Sequence, residues 1–359
     1  MGLGDIHEDL PFGHPTTPQE HLQRLYGLVD ATCGKLLGCW AEAVHDDRDF
    51  TFPLFALSRM GIYHQEVFEE ASVRLSGKLK GLATQGLRQW LLACNSVNHS
   101  LASHAAAIAC YEPPVPWERE EDSRLHQMVG ALAFLPSPNP LLDHVLTEVA
   151  SRPVAQLQKS KAVALYGLHV VHLLTASGCL PTTVRLPEPL VNELAQALER
   201  RSRLVRRCSR LEDVLGQALT GCGYEVQHDV LAAPGLSADF RCHGLGGRGF
   251  FVEVDGPSHF CVRPFWRPRG RTLLKQRVFA SQGWPLVSIP YWIAAPPGAY
   301  ARRDVPGRPP HLEVNQEELK KLVEEQLDAW DGSADRQWWA SEHLGKGRKE
   351  SRKDPGQMH

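Results

Sequence analysis

The sequence contains no CxxC pair. Its nine cysteines are scattered singly, an odd number without metal-ligand spacing. That excludes a standard zinc ribbon or finger, argues against a disulfide framework, and leads us to expect a reducing compartment. Net charge is nearly absent as well: 39 basic residues stand against 41 acidic ones, giving −2. A uniformly basic nucleic-acid coat is therefore out, while local basic faces remain open. The opening MGLGDIHEDL lacks the basic n-region and apolar h-region of a secretory signal. Asp5, Glu8 and Asp9 are acids of a kind that organellar transit peptides avoid, and Ile6 stands where a myristoylation signal wants Ser or Thr. Long apolar runs are scarce. The best one, AVALYGLHVVHLL, is about 13 residues and is broken up by His169, His172, Thr175, Ser177, Gly178 and Pro181. A bilayer span needs about 20 residues, so this segment reads as a buried core helix and no membrane span is expected. What is there is ordinary globular composition, 43% apolar and 22% charged over 359 residues, enough for about two domains.

The two halves differ in pattern. Residues 1–17 read as a tail. Residues 18–205 read as helix after helix, from Leu22, Leu25, Val29 and Leu36 through Leu54, Leu57 and Ile62. A faint repeat of about 37 residues aligns Ala56, Ala93 and Ala131, each unit an apolar helix, a break and a second helix. That pattern predicts a helical repeat-like, solenoid region, with an irregular bundle as the alternative. EPPVPWEREED (112–122) is a proline-rich connector within it. From Ser209 the order becomes α-β-β-β-α-β. Ser209 and Glu212 predict a capping box, and YEVQHDVL, SADFRC and GFFVEVD predict three strands. A helix from Thr272 to Gly283 and a strand at 285–292 follow. This α/β domain spans 208–310. A C-terminal helix, opening at Asn315 with Glu318 as capping partner, occupies 311–344, and 345–359 is a basic tail expected to be disordered.

The third strand carries the chemistry. Period-two alternation places Phe251, Glu253 and Asp255 on one face and Val252 and Val254 on the other. Adjacent carboxylates at a strand mouth are costly unless they hold a cation or strong donors. Asp239 on the neighbouring strand and Glu212 on the capped helix join the candidate centre. Hard oxygen ligands converging in this way suit Mg²⁺, which positions a water for attack on phosphorus. His99 and His104 are five apart, the wrong spacing for one helix face, and are set aside as metal ligands.

FFVEVDGPSHF, followed by TLLKQRVFASQGWPLVSIPYW, closely resembles the RAP domain. The resemblance covers about residues 249–298, with Thr272 and Lys275, Gly283-Trp284 and Pro290-Tyr291-Trp292 falling in order. Proteins of this family include the octotricopeptide-repeat and FAST-kinase-domain-containing proteins. The resemblance implies a restriction-endonuclease-like α/β fold behind a helical region, RNA binding, and a mitochondrial or plastid setting. Carried over by position, Asp239 and Glu253 match the nuclease core's acids, and with Asp255 they form the candidate metal set. Asp255 stands where a catalytic nuclease has lysine. Lys275 would supply the missing cation if it folds back to the strand mouth, and His259 is a candidate general base.

Two arginine clusters flank this domain. Arg203, Arg206, Arg207 and Arg210 recur at helical spacing as a basic stripe. Arg263, Arg267, Arg269, Arg271, Lys275 and Arg277 form a second cluster interleaved with Phe265 and Trp266, the mixture of cation and ring that single-stranded RNA favours. Three readings stay open: a non-catalytic binder of single-stranded RNA in organellar RNA metabolism, a Mg²⁺-dependent endoribonuclease using Glu212, Asp239, Glu253, Asp255, His259 and Lys275, and a structural subunit of an organellar ribonucleoprotein such as a ribosome.

Overall fold

The structure is a computed structural model that describes residues 18–42, 46–135, 139–154, 162–202, 209–233, 235–244, 249–264, 266–294, 312 and 314–330. Arg203, Arg206, Arg207, Phe265 and both predicted tails lie outside the described residues.

The first half is helical: α1 (Pro18–Glu42), α2 (Arg48–Met60), α3 (Gln65–Gly77), α4 (Thr84–Ser96), α5 (Ala105–Ala109), α6 (Asp122–Leu132), α7 (Pro140–Ser151), α8 (Ala162–Ala176) and α9 (Glu188–Ser202). Local signals set several ends. Asn139 accepts the Leu141 amide and Pro140 opens α7, while Gly61, at φ +72°, closes α2 in the left-handed region. Helices α2, α4, α6 and α8 pack in succession as one row, with α3 and α7 behind it. Between α6 and α8 the approach is set by Gly130 and Gly167, where an added Cβ would come within 3.0 and 2.9 Å of the other's Cα. Leu165, Leu168, Val170, Val171 and Leu174 bury α8, and no helix among the described residues is long and apolar enough to cross a membrane. The connector before α6 is pinned by Arg152, which bonds the Trp117 and Glu120 carbonyls and pairs with Asp122.

The second half opens on α10 (Arg210–Gly221), where Ser209 and Glu212 form the reciprocal capping box read from the sequence. β1 (Glu225–Ala233), β2 (Leu236–His243) and β3 (Gly249–Asp255) are antiparallel neighbours; α11 (Gly270–Ser281) then crosses over to β4 (Leu286–Pro290), which lies parallel to β3. Sheet order is β1-β2-β3-β4, and α12 (Gln316–Asp328) follows. In α12 the Asn315 carboxamide accepts the amides of both Glu317 and Glu318. The predicted strand ends move by a residue or two, and two shifts change what a residue does. Helix α11 starts two residues before Thr272, whose hydroxyl goes to the His259 carbonyl, and β4 stops at Pro290, with Tyr291 and Trp292 in a one-turn helix. Of the predicted arginine stripe only Arg210 is described; it is exposed and opens α10 behind the extended Ser209.

Each sheet face has a different partner. Phe240, Phe250, Val252, Val254, Val287 and Ile289 pack with Leu215 and Leu219 of α10 and Leu319 and Val323 of α12. On the opposite face, Leu286 and Phe251 join Leu274, Val278 and Phe279 of α11, and this cluster runs without a break into the helical row. Helix α11 touches α4, α8 and β4, so it is the shared wall of both halves.

Candidate functional site

Strand alternation turns Glu253 and Asp255 toward α11, away from the α10 layer. Both are buried, at 6% and 1% exposure. Each has a partner from within the chain. Lys275, one turn and a half into α11, folds back and pairs with Glu253. Asp255 has one oxygen 2.5 Å from His259 Nδ1, while the other accepts the Ser288 hydroxyl from β4. Asp239 accepts the Val254 amide at 2.7 Å. Helix α12 braces this edge: Gln326 accepts the Ser288 amide and donates to the Ser288 carbonyl, both at 2.9 Å.

Burial and mutual repulsion decide the protonation pattern. Burial first, then the Glu253 charge, pushes the Asp239 carboxyl up to about 7 against the pull of Lys275. Glu253 is raised by burial and by Asp255, with Lys275 opposing. For Lys275, burial favours the neutral amine, but Glu253 outweighs it and the ammonium is retained. Burial likewise disfavours the His259 cation, yet the Asp255 hydrogen bond and charge raise it above the usual histidine range. The centre is thus a set of internally compensated charges. From α8, Tyr166 leans over it: burial raises its phenol while Lys275 and Arg271 act against that rise.

One ligand atom each from Glu253, Asp255 and His259 lie within 4.8 Å of one another. Mg²⁺ would meet competition there: it takes oxygen ligands in near-ideal octahedral geometry, whereas one Glu253 oxygen already pairs with Lys275 and each Asp255 oxygen already has a partner in His259 or Ser288. Asp239, the third predicted ligand, is outside this group and is held by the strand backbone. Glu212 accepts from the Ser209 amide and hydroxyl as a cap, although its charge still contributes to the rise at Asp239.

Most of the second arginine cluster is engaged within the chain, at the seam between the two halves. Arg263 forks onto Asp30 at 2.7 and 2.9 Å and reaches the Tyr26 carbonyl. Arg267 donates to the carbonyls of Val97 and Asn98 and lies 3.8 Å over the Tyr63 ring. Arg269 bonds the Phe260 carbonyl, while Arg271 stands 5.6 Å over Tyr166 and stays exposed. Arg277 donates to the Ala133 and Cys179 carbonyls. The physical reason is that helix ends and turns of the row present carbonyls without intrahelical donors, and the guanidinium forks satisfy them. Trp266 remains 47% exposed. His99 follows α4 and packs on Tyr63 and Phe68, a core histidine.

Sequence reasoning missed Ser288, Gln326 and Tyr166. A lone serine inside LVSIP and a glutamine on the apolar stripe of α12 are the signals that could have found the first two. Tyr166 sits in an apolar helix over 80 residues from the strand it covers, and nothing local marks it.

Residues 252–294 match the family model of the RAP domain. The chain is a RAP domain-containing protein, and the matched segment holds Glu253, Asp255, His259, Lys275 and Ser288. A RAP domain supports a general RNA-binding role.

Proposed function

We propose that this protein binds single-stranded RNA in a mitochondrion or plastid and serves RNA processing, stability or translation there without cutting the strand. The observation that carries the non-catalytic reading is the occupancy of the strand mouth: Lys275, His259 and Ser288 already satisfy Glu253 and Asp255. The order α10-β1-β2-β3-α11-β4 supports descent from an endonuclease-like core whose acids now hold the domain together. The helical row, read as a repeat array, would grip the strand, with Arg203, Arg206, Arg207, Arg210, Arg271 and Trp266 as side chains for phosphate and base. The nuclease reading draws on the proximity of Glu253, Asp255 and His259.

The test uses the purified full chain and labelled single-stranded RNA with Mg²⁺ or Mn²⁺. Binding without cleavage is expected, with the salt slope falling by about 0.7 for each phosphate no longer neutralised in an Arg203/Arg206/Arg207/Arg210 to Ala variant. Single-site cutting that requires metal and disappears in a folded Glu253→Gln variant would overturn the non-catalytic reading. Sequencing of crosslinked RNA checks the compartment, since the genome of origin identifies the organelle.

A further inference from the structure

A cavity of about 280 Å³ lies between α7, α8 and the segment leading to α9. Its apolar walls are Leu146, Val171, Ala176, Val184 and Leu186, and its polar groups are Thr175, His172 and Arg185. That is just below the range for drug-sized ligand sites, roughly 300–1,000 Å³, and suits a smaller group.

The walls are fixed before any ligand arrives. Thr182 and Thr183 both donate to the Asp143 carboxylate on α7, and Arg185 donates to the Thr175 carbonyl at the end of α8. The domain seam abuts the same turn, because Arg277 and Gln282 of the α11 region bond the Cys179 and Leu173 carbonyls.

Thr175 is the informative residue. It is 4% exposed, yet its hydroxyl has no hydrogen-bond partner. Helical threonines and serines ordinarily bond back to a carbonyl of the preceding turn, as nearby Ser177 does with Leu173 and Leu174. A buried hydroxyl without a partner is destabilising, and here it lines a cavity. His172, half-buried beside Arg185, is held below the usual histidine range by burial and by that guanidinium. Its neutral ring offers one donor and one acceptor.

Apolar walls with groups that both donate and accept suit the edge of a heteroaromatic ring. A buried anion would need donors alone. Arg185, exposed at the rim, suits the phosphate attached to such a ring. We infer that this cavity receives one unstacked nucleobase, its edge read by Thr175 and His172 and its phosphate met by Arg185. The inference rests on the RNA-binding reading for its source, because single-stranded RNA presents splayed bases to pockets of this kind. A free nucleotide carries the same chemistry.

The experiment measures binding of the full chain to the four RNA homopolymers, and separately to the four nucleoside monophosphates by ligand-observed NMR. Thr175→Val keeps shape and removes the hydroxyl; Ala176→Trp fills the mouth from an exposed position. The wild type is expected to prefer one homopolymer by about tenfold. Both variants should flatten that preference to within about threefold while keeping the salt slope. The melting temperature of Thr175→Val should be unchanged or higher, since an unsatisfied hydroxyl has gone. RNA binding with no base preference, or with a preference that both variants retain, overturns the pocket and leaves the RNA reading standing. Monophosphate binding that disappears in the variants, without any RNA binding, keeps the pocket and overturns the RNA reading. Binding of neither overturns both.

Discussion

Truncating Arg267 to Ala should destabilise the whole chain, because its guanidinium is a structural donor at the seam. Helix α4 ends before Asn98, which has φ +56°, and leaves the Val97 and Asn98 carbonyls without donors of their own. Arg267 satisfies both and stacks on Tyr63. A charge-assisted bond is worth about 1.5–3 kcal/mol and a cation over a ring about 0.5–2 kcal/mol. Some of this returns as water reaches the part-exposed turn, so we expect a loss of about 3–5 kcal/mol. Arg267→Lys keeps a charge but not the fork or the stacking, and should lose about 1–3 kcal/mol. Urea denaturation followed by far-ultraviolet dichroism and by tryptophan fluorescence reads the effect. The two probes should share one midpoint, because the core runs through α11 into both halves. The reasoning is refuted if Arg267→Ala costs under about 1 kcal/mol while the salt slope of RNA binding falls. Arg267 would then be a phosphate ligand and not a clamp.

Gly270→Ala places a Cβ 1.8 Å from the Asn95 carbonyl oxygen, a backbone atom that cannot swing aside. We expect α11 to be forced off α4 and thermal stability to drop by about 3 kcal/mol or more; a melting curve matching wild type would contradict the close approach. His126 is 3% exposed, and burial holds it down to about 4. Its contribution is present above the unfolded value of about 6.5 and is lost as pH falls from there toward 4, by about 3 kcal/mol in all. Urea midpoints across that window should decline for wild type and flatten for His126→Gln. Asp239 runs the other way. Its folded value, up at about 7, makes its contribution complete below about 3.9 and lost as pH rises through 7. Asp239→Asn should therefore gain stability relative to wild type at pH 8, and an equal midpoint there would show that the carboxyl is not raised.

Whatever depends on neighbours in the chain was settled by the sequence alone. The capping box at Ser209 and Glu212 is a matter of three-residue spacing, and the alternation that puts Glu253 with Asp255 follows from strand period. A helical first half and an α/β second half can be read from hydrophobic periodicity, and EVDGPSHF carries the RAP resemblance without help from any fold. Tertiary structure decided which charges are open. Arg263, Arg267 and Arg277 look like part of an RNA-facing cluster until the carbonyls, Asp30 and the rings opposite them are known. In the same way Glu253 and Asp255 look like a metal cradle until Lys275 and Ser288 arrive from α11 and β4. A charged side chain has the same letter whether it faces solvent or a bare carbonyl. Only the docking of α11 between sheet and helices, permitted by Gly270 against Asn95, determines which environment each one meets.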